Sequence, residues 1–149
     1  TIVVLVGRIN KASLAALQYA TSLAPDRLVA VSVVSDAEQA ESIQNQWAEH
    51  HLDMALEIKL SPYRDLSGPV LEFLDELDEA HENDIITVIL PEFVLTKWWE
   101  QLLHNQSALL IKGRLLFRRN TVVVSVPYHI ERDQAEVIGE PEPEPTGHN

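Results

Sequence analysis

Short apolar runs rich in β-branched residues alternate with longer stretches of helical periodicity along the first 130 residues. The runs lie at Ile2 to Val6, Leu28 to Val34, Met54 to Leu60, Ile85 to Leu90 and Thr121 to Val126. Each spans five to seven residues without polar alternation, the pattern of a strand covered on both faces. Between them, apolar positions recur at helical spacing. Leu14, Leu17, Thr21 and Ala24 predict one stripe, Ala40, Ile43 and Trp47 a second, and Val70, Phe73, Leu74 and Leu77 a third.

Local chemistry marks where these helices begin. Asn10 is suited to cap the first. Ser35-Asp36-Ala37-Glu38 reads as a capping box for the second, and Gly68-Pro69 places proline at the first position of the third. Asn105 or Ser107 can cap a further helix from Ala108 to about Phe117. Strand–helix alternation through five strands predicts an α/β fold: a five-stranded parallel sheet in the order 3-2-1-4-5 with helices on both faces. The switch point then falls between strands one and four. A ligand would sit above the strand C-termini there, among the loops that follow Val6, Val34 and Leu90.

Residues 131–149 change character, with three prolines in Pro141-Glu142-Pro143-Glu144-Pro145 and almost no apolar content. They read as an acidic, proline-rich disordered tail behind a domain of residues 1–130. Residue 1 is Thr and a buried-strand pattern starts at residue 2, which predicts a piece of a longer protein, or a processed one.

Charge narrows the partners. The 149 residues carry 23 acidic and 11 basic side chains, a net charge of −12. The tail, with six acids against one arginine, supplies −5 of this and leaves −7 on the domain. So negative a chain is poorly matched to DNA, RNA or an anionic leaflet. With no cysteine there is no disulfide, thiolate metal site or thiol nucleophile. No apolar run approaches the roughly 18 residues of a spanning helix, and no secretory signal is visible.

Against this background the basic and aromatic residues of the strand-end loops stand out. Gly7-Arg8-Ile9-Asn10-Lys11 leads into a helix N-terminus, where backbone N–H groups favour an anion. The plainer reading is a βα turn with solvated cations. Ser35 opens the loop after strand two. Ser61-Pro62-Tyr63-Arg64-Asp65 combines a ring for stacking with a bidentate phosphate donor, or else forms a turn in which Arg64 pairs with Asp65. The connection after strand four is long and holds Phe93, Trp98, Trp99, His104, Asn105, Gln106 and Ser107. Trp98 and Trp99 point about 100° apart on a helix, so packing fully buries at most one. His104, Asn105 and Gln106 could read a base edge or an anion. Lys112, Arg114, Arg118 and Arg119 crowd four cations into eight residues, most simply a solvated helix face. The acids Glu72, Asp75, Glu76, Asp78 and Glu79 read as the solvated face of the third helix.

Nothing points to catalysis. His50-His51 are adjacent and cannot converge on one metal from a helix, and neither H-E-x-x-H nor a G-x-S-x-G elbow occurs. With only Gly7, Gly68 and Gly113 before the tail, no phosphate-binding glycine fingerprint can be written. The expectation is a protein that is not an enzyme and has neither cofactor nor metal.

The pattern resembles the universal stress protein fold. More narrowly, it is similar to the cytosolic C-terminal domain of bacterial APC-superfamily permeases, including KimA-type potassium importers. The residues that carry this are Ser61-Pro62-Tyr63-Arg64 with Pro69-Val70, Leu90-Pro91-Glu92-Phe93-Val94, Trp98-Trp99-Glu100 and Leu103-His104-Asn105-Gln106. Leu115-Leu116-Phe117-Arg118 and Val124-Ser125-Val126-Pro127-Tyr128-His129 close the block. No glycine lies between Pro91 and Lys112, so the resemblance does not extend to the glycine-rich ATP loop of stress proteins.

What the resemblance implies is a regulatory domain on the cytoplasmic face of the membrane, attached downstream of an amino-acid or potassium transporter. It implies cyclic di-AMP as the ligand. Placed on the strand-end loops, the contacts fall to Arg8, Asn10, Ser35, Tyr63, Arg64, Phe93, His104, Asn105, Gln106 and Ser107. A homodimer is expected through strand five, an apolar sheet edge holding Val122, Val124 and Val126. The alternatives are a ligand-free dimerisation module and an ATP-binding stress protein.

Overall fold

The computed structural model describes residues 1–62, 67–81, 84–91, 115 and 118–127. The strands are β1 (Ile2–Leu5), β2 (Leu28–Val34), β3 (Ala55–Leu60), β4 (Ile86–Pro91) and β5 (Thr121–Val126). The helices are α1 (Lys11–Ser22), α2 (Ala37–Glu49) and α3 (Ser67–Ala80). All pairings are parallel and the sheet order is β3-β2-β1-β4-β5, as the alternation predicts.

Side chains alternate across the sheet and divide the core in two. Val3, Leu5, Val29, Val31, Val88 and Leu90 pack with Val70, Phe73 and Leu74 of α3, joined by Leu115. Ile2, Val4, Val6, Ala30, Val34 and Ile89 pack on the other face with Ala16, Leu17 and Ala20 of α1 and with Ile43 and Trp47 of α2. Helices therefore cover both faces. The central strands β1 and β4 are buried almost throughout, whereas β3 and β5 alternate exposed and half-buried positions. For β3 and β5 the expectation of two covered faces is corrected: each is a sheet edge.

The α2 and α3 stripes lie where periodicity puts them, with Ile43, Trp47, Val70, Phe73 and Leu74 buried. Trp47 also ties α2 to the start of β3, its Nε1–H donating to the Met54 carbonyl at 3.2 Å. The α1 stripe is different. Its buried face is Ala12, Ser13, Ala16, Leu17 and Ala20; Thr21 is exposed, and Ala24 lies beyond the helix at φ 47°. Leu17 is the one large apolar side chain on this face, and small residues make up the rest of it.

Three further expectations are corrected. The N-cap of α2 is Asp36, not Ser35, and Asp36 accepts from the Gln39 N–H at 2.8 Å. Carboxylate is as good a cap as hydroxyl, and starting one residue later lets Gln39 donate to Ser35 Oγ at 2.7 Å. Pro69 is the third residue of α3 rather than the first, still within the turn whose N–H groups lack intrahelical acceptors. Arg118 is not a solvated cation: its side chain is 15% exposed, pairs with Asp75 and Asp78, and donates to the Leu74 carbonyl at 3.0 Å. The acid face of α3 is thus partly an intramolecular docking face. Lys59 adds to it from β3, 3.4 Å from Glu76 and 5.0 Å from the centre of the Phe73 ring. The acidic tail, the Trp98-Trp99 pair, Lys112 and Arg114 lie outside the described residues.

Candidate functional site

Connectivity sets the site. From β1 the chain crosses through α1 to β2 on one side, while β4 lies on the other, so the switch point, where a doubly wound sheet forms its crevice, falls between the C-terminal ends of β1 and β4. Val6 and Pro91 are buried at its base. Above Val6, Gly7 is exposed, and a Cβ added to it would find no described atom within 4 Å.

The next residues form the start of α1. Asn10 Oδ1 accepts from the Ser13 N–H at 2.9 Å, while Ser13 Oγ accepts from the Asn10 N–H at 2.8 Å and donates to the Asn10 carbonyl at 2.9 Å. This is a capping box with serine at its inner position. It satisfies the Ser13 N–H, and the Leu14 N–H reaches the Asn10 carbonyl at 2.9 Å. The Lys11 and Ala12 N–H groups have no partner among the described residues. No acidic residue occupies the first turn of α1. Arg8 and Lys11 are exposed, and neither forms an ion pair among the described residues. Two cations and helix-terminal donors without a partner among the described residues therefore coincide, an arrangement that favours an anion.

The other predicted contacts divide into two groups. Asn10 and Ser35 are placed beside the crevice, but their side chains already serve helix starts: Asn10 as the cap of α1, Ser35 through Asp36 and Gln39 at α2. The Asp36 carboxyl is held below its ordinary range, chiefly by the Gln39 N–H and next by the Ser35 hydroxyl. Tyr63, Arg64, Phe93, His104, Asn105, Gln106 and Ser107 lie outside the described residues. The flanks of the β3–α3 connection are described: Ser61 is buried and its N–H donates to the Val34 carbonyl at 2.7 Å, and Ser67 is buried at the start of α3. Lys11 deserves equal weight with Arg8; its signal was its place at the first position of a helix without a first-turn acid.

A separate groove of about 330 Å³ runs between α2 and β3, lined by Trp47, His51, Leu52, Leu56 and Ile58 among others. None of the predicted contacts borders it. On the far edge of the sheet, Val122 is 48% exposed, while Val124 and Val126 pack partly against the α1–α2 side of the core. β5 pairs only with β4 among the described residues. No helix among those residues is long and apolar enough to cross a membrane.

The fold is that of a doubly wound α/β domain whose switch point lies between β1 and β4. Residues 1–128 match the family described as the KimA potassium transporter C-terminal domain, and the chain belongs to that family. It is 35% identical over 118 residues to the potassium transporter KimA of Bacillus subtilis (strain 168). That similarity takes in 78% of this chain and 19% of the relative, so the chain spans about a fifth of the relative's length.

Proposed function

We propose that this chain is the regulatory domain at the C-terminus of a potassium-transporting membrane protein. In this reading it lies on the cytoplasmic side and binds cyclic di-AMP as a homodimer. Family membership supports the attachment to a transporter. The observation that carries the ligand is the positive corner at the switch point, where Arg8 and Lys11 lie beside α1 N–H groups that have no partner among the described residues, in a chain of net charge −12.

Arg8, Arg64 and the helix start after Ser107 meet phosphate, and Tyr63 or Phe93 stacks on adenine. His104, Asn105 and Gln106 contact polar edges, while Asn10 and Ser35 hold the wall in shape. A twofold cyclic dinucleotide suits a twofold pair of chains, and the edge of β5, which pairs only with β4 among the described residues and has Val122 exposed, supplies a surface for that pair. Binding alters the geometry of the pair and so biases the transporter.

Isothermal titration of the chain with cyclic di-AMP, cyclic AMP and ATP tests the reading. Heat is expected with cyclic di-AMP, weakened in Arg8→Ala without loss of the folded spectrum. No heat and no thermal shift with any of the three, in a chain that sediments as a dimer, would leave a ligand-free dimerisation module. Heat with ATP alone would point to a stress-protein-like nucleotide site.

A further inference from the structure

The end of the sheet opposite the crevice carries an unusual set of neighbours. The Ile2 N–H donates to the Arg27 carbonyl at 2.8 Å, the Thr87 N–H to the Thr1 carbonyl at 2.9 Å, and the Ile86 N–H to the Asn120 carbonyl at 2.8 Å. Thr1 nitrogen donates to the Ile85 carbonyl at 3.0 Å, so the ladder between β1 and β4 reaches residue 1 itself. The Thr1 side chain is only 3% exposed and its hydroxyl donates to Asp84. Residue 1 is therefore seated in the middle of this end, with two strands on either side.

Two large apolar side chains stand open there. Ile85, immediately before β4, is 59% exposed, and Leu23, at the C-cap of α1, is 46% exposed. Single exposed apolar residues are ordinary. These two share the sheet end at which the polypeptide enters β1, and Ile85 is hydrogen-bonded to residue 1 itself.

We infer that this end of the sheet, with Ile85 and Leu23 at its surface, docks against the polypeptide that precedes residue 1, the segment leading from the transport core. The inference rests on the proposed attachment to a transporter. Its occupant is set by connectivity: the relative is about five times the length of the matched stretch, and the family is a C-terminal domain. Any preceding chain must leave beside Ile85. Docking there puts the transporter and the ligand crevice at opposite ends of the sheet, about 20 Å apart for the six residue steps from Thr1 to Gly7 at the usual strand rise. The ligand's effect then reaches the transporter through the sheet and the pairing of domains, with no direct contact between ligand and transport core.

Because the chain has no cysteine, single cysteines report cleanly in it, and any cysteine in the preceding polypeptide is replaced by serine before labelling. Ile85→Cys, Leu23→Cys and, as a control, Leu60→Cys are labelled with a maleimide in this chain alone and in the full-length transporter in membrane vesicles. Leu60 is 58% exposed at the C-terminal end of β3. The expected result is full labelling of all three in the chain alone, and loss of labelling at 85 and 23 but not at 60 in the full-length protein. Equal labelling at 85 and 23 in both, in vesicles whose potassium uptake still responds to cyclic di-AMP, overturns the docking and leaves the proposed function standing. Vesicles whose uptake does not respond overturn the function instead.

Discussion

Removing the Arg118 side chain tests whether the connection into β5 is anchored on α3. Its guanidinium serves three acceptors: the Leu74 carbonyl at 3.0 Å, Asp75, and Asp78 at 3.9 Å. A mid-helix carbonyl keeps a second lone pair beyond its helical bond, so the Leu74 contact adds to the helix without competing with it. Asp75 and Asp78 are 65% and 46% exposed, so the ion pairs together contribute no more than about 1 kcal/mol. A charged donor on a carbonyl contributes about 1.5 kcal/mol. The mostly buried stem adds packing that alanine cannot replace. Arg118→Ala is therefore expected to destabilise the chain by about 2–3 kcal/mol in urea titrations followed by circular dichroism, with an unchanged m-value. Arg118→Lys keeps stem and charge but loses the fork, and should forfeit about half of that. Asp75→Asn should cost less than about 1 kcal/mol and become silent in 1 M salt, where the Debye length falls to about 3 Å. An Arg118→Ala variant within about 0.5 kcal/mol of the parent would refute the anchoring, since even one charge-assisted hydrogen bond exceeds that. So would an Asp75→Asn variant as damaging as Arg118→Ala.

Two further outcomes are expected. Asn10→Ala leaves the Ser13 N–H uncapped and should lower stability by about 1 kcal/mol, read as a shift in the urea midpoint; Asn10→Asp should retain most of it. The Asp36 carboxyl is held below its ordinary 3.8, so the stabilisation it brings is fully present above that value and is lost as pH falls through the lower folded value. Thermal midpoints measured downward from pH 5 should therefore fall more steeply in the parent than in Asp36→Asn, and parallel curves would show that the cap does not titrate with folding.

Much of the fold was legible because a parallel sheet buried between helix layers forces apolar runs that cannot be hidden in the sequence. The bounds of β2 and β5 coincide with their runs, those of β1 and β3 differ by one residue at one end, and β4 is shifted by one residue at both. The stripes of α2 and α3 were readable because Ile43, Trp47, Phe73 and Leu74 are large apolar side chains that recur at helical spacing on one face. The helix starts were half legible: side-chain chemistry marked the right neighbourhood, but Ser35 and Asp36 cap equally well, and only the bond to Gln39 chose between them.

Tertiary structure alone decided the rest. Apart from Leu17, the face α1 buries is made of Ala12, Ser13, Ala16 and Ala20, residues whose hydrophobicity is too weak to show a stripe. That Arg118 turns inward to α3 while Arg8 and Lys11 form no ion pair among the described residues depends on which carboxylates the fold brings near, and no spacing along the chain encodes that. By itself the sequence determined strands, their order and which end of the sheet opens at the switch point, because burial and chain connectivity are written in local pattern. It left to the folded chain which charges are neutralised, because ion pairs form between residues 43 positions apart, as at Asp75 and Arg118.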